Sequence, residues 1–145
     1  MKKNFAFVLG VLLIFGFVLV SCSSGHSGTA PKVTVTSYAY VDGGTDKWIA
    51  KTEFAVNEKI GFKIQITDPD KDIKRYGYTV KKGGNIWTPN TERDLYSIPN
   101  SDTYTQGVSY WSFDSNNTGT YTFEAYAFDL AGNKSDTATT TFTVK

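Results

Sequence analysis

The sequence predicts an all-β fold, an antiparallel β-sandwich of about seven strands spanning residues 32–145. Three observations predict it. Ile60, Phe62, Ile64 and Ile66 alternate with Gly61, Lys63, Gln65 and Thr67, the period of a half-buried strand. Similar short runs recur, separated by turns of Gly, Asn, Asp and Pro. No helical period follows Val20, and many short strands without helices suit two packed sheets.

Before the first strand, Lys2 and Lys3 precede an apolar run from Phe5 to Val20. It is shorter than the roughly 20 residues of a spanning helix. A charged start, an apolar middle and a small-residue end describe an export signal over residues 1–21. The run ends Leu19-Val20-Ser21-Cys22, which resembles the bacterial lipobox. That resemblance implies cleavage before Cys22 and covalent lipid on it. Stable anchoring needs more than one acyl chain, as the lipid-modified Cys of that family carries. Cys22 is the one Cys in the chain, so no disulfide is expected. Residues 22–31 are rich in Ser and Gly and read as a flexible tether. The single His, His26, lies in it.

Within the domain, Val33 to Thr36 alternate as an opening strand, and Tyr38 to Lys51 read as irregular. Glu53 to Asn57 read as a short strand and turn, and the Ile60–Thr67 strand follows. Asp68-Pro69-Asp70-Lys71-Asp72 is a turn, since Pro and Asp favour turn backbone. Tyr76, Tyr78 and Val80 alternate on the next strand, which Gly83 and Gly84 end. Residues 86–106 are turn-rich, with room for a short strand near Ile86–Thr88 or Leu95–Ile98. Val108 to Phe113 form a strand with Trp111 and Phe113 facing in. The stretches Asn117 to Asp129, entered through a Gly-containing turn, and Asp136 to Val144 read as two adjacent antiparallel strands joined by a polar loop. On the final one, Ala138, Thr140, Phe142 and Val144 share a face.

The run Asn117, Gly119, Tyr121 and Phe123 is similar to the Asp-x-Gly-x-Tyr-x-Cys pattern of immunoglobulin-like domains. Ala127, Asp129, Gly132 and Asn133 resemble the strand ending of bacterial Ig-like repeats. The resemblance covers roughly residues 32 to 145. It implies an Ig-like sandwich whose Tyr121 hydroxyl ties a corner to nearby backbone. Phe123 stands where the disulfide Cys would be, so a hydrophobic contact is expected in its place.

Composition and spacing exclude several chemistries. The chain has 15 basic and 14 acidic side chains. With Lys2 and Lys3 in the signal, the remainder is near neutral, and nucleic acid is not an expected partner. A His-dependent triad and a zinc site both lack ligands in the domain. No enzyme activity is expected.

Two constellations remain. Asp68, Asp70 and Asp72 have the spacing that opens an EF-hand loop. Ile73 and Thr79 stand where its Gly and Glu would be. The Ig-like resemblance would bring these residues near Asp129, Asn133 and Asp136, and clustered hard oxygens suit Ca²⁺. Plain turn chemistry explains the same residues, is preferred, and requires no cofactor. The second constellation is Tyr126 and Phe128, which face outward beside Glu124 if Tyr121, Phe123, Ala125 and Ala127 face in. Exposed aromatics can bind protein or stack on sugar rings. The alternative is that part of residues 86–106 covers them.

The leading expectation is therefore a non-catalytic lipoprotein. Lipid on Cys22 would hold it in the cell membrane or outer membrane, with the domain exported. The Ig-like domain would serve as a binding or adhesion module at the bacterial cell envelope. The alternatives are a carbohydrate-binding sandwich using Trp48, Trp87 or Tyr126, and a structural envelope lipoprotein without an extracellular ligand.

Overall fold

The computed structural model describes residues 28–40, 48–97 and 100–145. The expected signal, Cys22 and most of the tether lie outside them. The described strands are β1 (Lys32–Tyr40), β2 (Trp48–Ala50), β3 (Glu53–Phe54), β4 (Ile60–Thr67), β5 (Ile73–Lys82), β6 (Asn85–Asp94), β7 (Thr103–Trp111), β8 (Gly119–Asp129) and β9 (Ala138–Val144). They form a four-stranded sheet, β2-β1-β4-β7, and a five-stranded sheet, β3-β9-β8-β5-β6. Neighbours pair antiparallel, except that β3 runs parallel to β9. The fold is an all-β sandwich, as the alternating pattern predicts.

The inner faces follow period two. Ile60, Phe62, Ile64 and Ile66 of β4 are buried, and so are Tyr121, Phe123, Ala125 and Ala127 of β8. Phe62 stacks on Phe123 with ring centroids 4.1 Å apart and planes 9° apart. These rings join the two sheets where a disulfide would stand in the family pattern. Tyr78 of β5 adds a second stacked ring on Phe123 at 5.6 Å. Phe142 of β9 stacks on Tyr121 at 5.3 Å.

The corner contact is present. The Tyr121 hydroxyl donates to the Asn117 carbonyl at 2.6 Å. Residues Ser115–Asn117 form a single 3-10 turn, capped by the Asp114 side chain accepting from the Asn116 N–H. The strand order and this contact together give an immunoglobulin-type sandwich.

Three sequence expectations need correction. β1 continues to Tyr40 and pairs with β2, so residues 38–51 are not simply irregular. The turn-rich stretch after Gly84 holds a ten-residue strand, β6, in place of a short one. Gly83 and Gly84 close its hairpin with β5 in a two-residue turn, at φ of 55° and 85°. Two successive positive φ values suit the turn type that matches strand twist, which glycine adopts without penalty. β7 begins at Thr103, before the expected Val108, and ends at Trp111. Phe113 is buried as expected but lies beyond the strand, and Trp111 is half-buried against Phe62.

Candidate functional site

The β4–β5 loop and the β8–β9 loop lie at one end of the sandwich. The Leu130 N–H donates to the Asp72 carbonyl at 2.9 Å, tying the loops together. Asp68 and Asp129 are fully buried there and Asp72 nearly so. Asp68 accepts from the backbone N–H of Asp70 at 3.1 Å and of Asp72 at 3.2 Å. Asp129 accepts from the Asn133 N–H and from its Nδ2, both at 2.7 Å. These are the self-bonded turns that Asp and Asn form.

The same cluster holds the incoming chain. The Thr29 N–H donates to Asp70 Oδ2 at 2.7 Å, and Asn133 Nδ2 donates to the Gly28 carbonyl at 2.9 Å. A Cβ on Gly28 would lie 3.0 Å from Asp70 Oδ2 and 3.4 Å from Asp129 Oδ2. Five of the six acidic-loop residues therefore meet at this end. Asp136 stays exposed, and its carbonyl accepts from Ser135 Oγ at 2.8 Å. Among the described residues, no group of three or more His, Cys, Asp or Glu side chains is arranged to hold a metal ion.

The outer face of β5 and β8 carries the second constellation. Tyr126 and Phe128 do point away from the core, but Tyr126 is only 9% exposed. Its ring lies over Gly77, where a Cβ would sit 2.4 Å from Tyr126 Cζ. The Tyr126 hydroxyl donates to Glu92 Oε1 at 2.7 Å and accepts from Asn90 Nδ2 at 2.6 Å. Lys134 Nζ stands 3.9 Å from the Tyr126 ring centre, and the Arg75 guanidinium 4.5 Å from that of Phe128. Such cations are drawn to the ring face. Burial, with Glu92 adding to it, pushes the Tyr126 hydroxyl above its ordinary pKa. Glu124 is paired with Lys81 at 2.7 Å.

Tyr126 is thus covered from within residues 86–106, the alternative to an exposed platform, while Phe128 is half-buried. Residues Asn90 and Glu92 of β6 do the covering. The missed signal is Gly77, a lone glycine inside an alternating strand, which marks close approach of another group.

An aromatic row for sugar is not formed by Trp87 and Tyr126. Trp87 is 37% exposed and packs edge-on against Trp111 and Tyr121, on the inner side of the sheet that Tyr126 flanks outside. The Trp48 side chain lies outside the described residues.

A third feature was not anticipated. A cavity of about 570 Å³ opens between the edges of β6 and β7. Tyr76, Arg93, Leu95, Tyr96, Tyr104 and Gln106 help to line it. Burial pushes the hydroxyls of Tyr76 and Tyr104 above their ordinary pKa, with neighbouring tyrosines adding to the shift at Tyr76. Tyr104 donates to Gln106 Oε1 at 2.8 Å.

No protein-family model matches the chain, and no curated protein does. Solved structures with which it aligns include the PKD domain of an M14-like peptidase from a Thermoplasmatales archaeon. There the identity is 18% and the TM-score 0.49, over 81% of this chain and 98% of that one. A CARDB domain from Pyrococcus furiosus, solved with di-metal ions, aligns at 15% identity and TM-score 0.46, over 81% and 91%. The soluble domain of PmoD from Methylocystis aligns at 12% and 0.44, over 78% and 90%.

Proposed function

We propose that this chain is an exported, lipid-anchored and non-catalytic module that binds a protein partner at the bacterial cell envelope. The observation that carries the reading is the hold on Gly28 and Thr29 by Asn133 and Asp70. The sandwich grips the chain six residues after Cys22, the lipobox position. Six residues reach about 20 Å at most. With lipid on Cys22, the acidic loop end would face the membrane. The β5–β6 turn lies at the opposite end and would point away, with Ile86 exposed beside it. Asp70 and Asn133 would then set the domain's bearing on its tether, with the buried Asp68 and Asp129 fixing the two loops that carry them.

Phase partition of the full chain with Cys22→Ser tests the anchor. The wild type is expected in the detergent phase and the variant in the aqueous phase, with the same β-sheet circular dichroism. Equal partition of both would reject the lipid anchor. Protease treatment of intact cells then separates a surface partner from a role inside the envelope.

A further inference from the structure

We propose that β7 is a docking edge to which an extended segment of another envelope protein adds as a new strand. This rests on the binding-module reading and names the surface and the kind of partner.

The sheet edges carry the argument. An open edge is a template for pairing with another chain, and proteins blunt such edges with short strands, charges, Pro and bulges. Three of the four edges here are blunted. β2 has three residues and β3 has two. β6 carries Pro89 and the charged residues Glu92, Arg93 and Asp94, and its pairing with β5 slips in register twice. β7 is different. Its nine residues, Thr103–Trp111, contain no charge and no Pro. Among the described residues no strand pairs with its outer side.

The register shows which groups face out. The Asp68 N–H donates to the Asp102 carbonyl at 2.8 Å, in line with the pairing of Thr67 opposite Thr103. Hydrogen-bonded pairs alternate along an antiparallel ladder. Tyr104 and Gln106 therefore bond to β4, and Thr103, Thr105 and Gly107 turn their N–H and C=O groups outward. Two local contacts agree. The Thr103 N–H takes the Ser101 hydroxyl at 3.2 Å, and the Gly107 carbonyl takes Gln106 Nε2 at 2.7 Å, each in place of a strand.

The cavity between β6 and β7 lies beside this edge, and Tyr104 and Gln106 of β7 line it. A strand added to β7 would turn alternate side chains toward this opening between the sheets. Main-chain bonds would give affinity and the pocket would give selectivity. Leu95, Tyr76 and Tyr104 lie beside Glu92, Arg93 and Asp94 there, so a side chain with an apolar or aromatic body and a polar end fits, and the fully exposed Tyr96 would gain a cover.

A second copy of this chain fits less well. Symmetric pairing of β7 with itself is antiparallel, so the two acidic loop ends would point in opposite directions. Two copies whose acidic loop ends both faced one membrane could not meet that way. A segment of another protein has no such constraint.

Main-chain recognition tolerates sequence, so a generic strand is a fair probe. The probe is a fluorescent peptide alternating Thr with Val and Tyr, and its control is the same peptide N-methylated at alternate residues. Both are titrated by anisotropy against the full chain in detergent. Wild type is expected to bind the probe saturably and the control at least tenfold more weakly. Thr105→Pro removes an outward N–H that β4 does not use. It is expected to weaken binding at least tenfold while leaving the melting temperature within a few degrees, and Thr105→Ser is expected to bind as wild type. Cys22→Ser is expected to bind as wild type, so loss of the anchor and loss of the edge are read separately. No saturable binding, equal binding of the control peptide, or equal binding by Thr105→Pro overturns the proposal. So does sedimentation as a dimer that Thr105→Pro dissolves, which would make the occupant a second copy.

Discussion

Two residues show how single contacts hold this sandwich in place of a disulfide. Tyr121 is fully buried, and its hydroxyl donates to the Asn117 carbonyl. Tyr121→Phe keeps the ring and leaves a carbonyl without its donor, so a loss of about 1 kcal/mol is expected in denaturant unfolding. An unchanged midpoint would mean that water replaces the hydroxyl at no cost. Gly77 works by absence, since its missing Cβ is the seat for the Tyr126 ring. Gly77→Ala forces the ring off that seat and is expected to cost about 1–3 kcal/mol, the range of overpacking. Tyr126 also has a pH consequence. Its folded pKa is raised by burial, so the neutral hydroxyl contributes stability that is fully present below the unfolded pKa near 10. That contribution is lost as pH rises through the folded pKa. Tyr126→Phe is therefore expected to lose stability less steeply than wild type above about pH 10.

At the scale of elements, legibility followed contrast between faces. β4 and β9 were readable because one face of each is buried aliphatic or aromatic and the other is polar, and β8 because Tyr121 and Phe123 follow Gly119 at the family spacing. β6 was not, because nearly all its residues are exposed on both faces. It is a strand because Gly83 and Gly84 turn it back onto β5, and pairing overrides its Pro and its polar composition. β2 was hidden for a similar reason, being short and set at an edge. The contact that replaces the disulfide was readable in part. Phe123 stood out by its place after Tyr121, while Phe62 as its partner needed the register of both sheets. Phe123→Ala is expected to cost roughly 3–5 kcal/mol, the range for a buried Phe. Combined with Phe62→Ala, the loss is expected to fall short of additive by about 0.5–1.5 kcal/mol, the worth of a ring pair beyond its area. Full additivity would mean that the stack adds nothing beyond the burial of each ring.

At the scale of the molecule, the meeting of the two acidic loops was legible from the family pattern, and their role was not. Spacing of Asp68, Asp70 and Asp72 is the same for a calcium loop and for a chain of turns. The difference lies in where the backbone N–H groups point. In the folded chain Asp68 takes two of them, and Asp129 takes one together with the Asn133 amide. Asp70 is spent on Thr29, a residue of the tether that no local pattern connects to it. An ion entering this end would have to displace these donors, and each lost bond to a charged group costs about 1.5–3 kcal/mol. Extracellular calcium modules bind at roughly 10⁻⁴–10⁻³ M. A ligand that binds only the folded state raises its stability once its concentration exceeds that constant. The melting temperature in millimolar Ca²⁺ and in chelator is therefore expected to be the same for wild type. It is also expected to be the same in both conditions for Asp70→Asn with Asp129→Asn, though lower throughout because each side chain loses its charge and Asp129 loses one of the two oxygens that accept from Asn133. A rise of several degrees with Ca²⁺ in wild type, absent in the double variant, would show that the loops exchange their backbone donors for the ion.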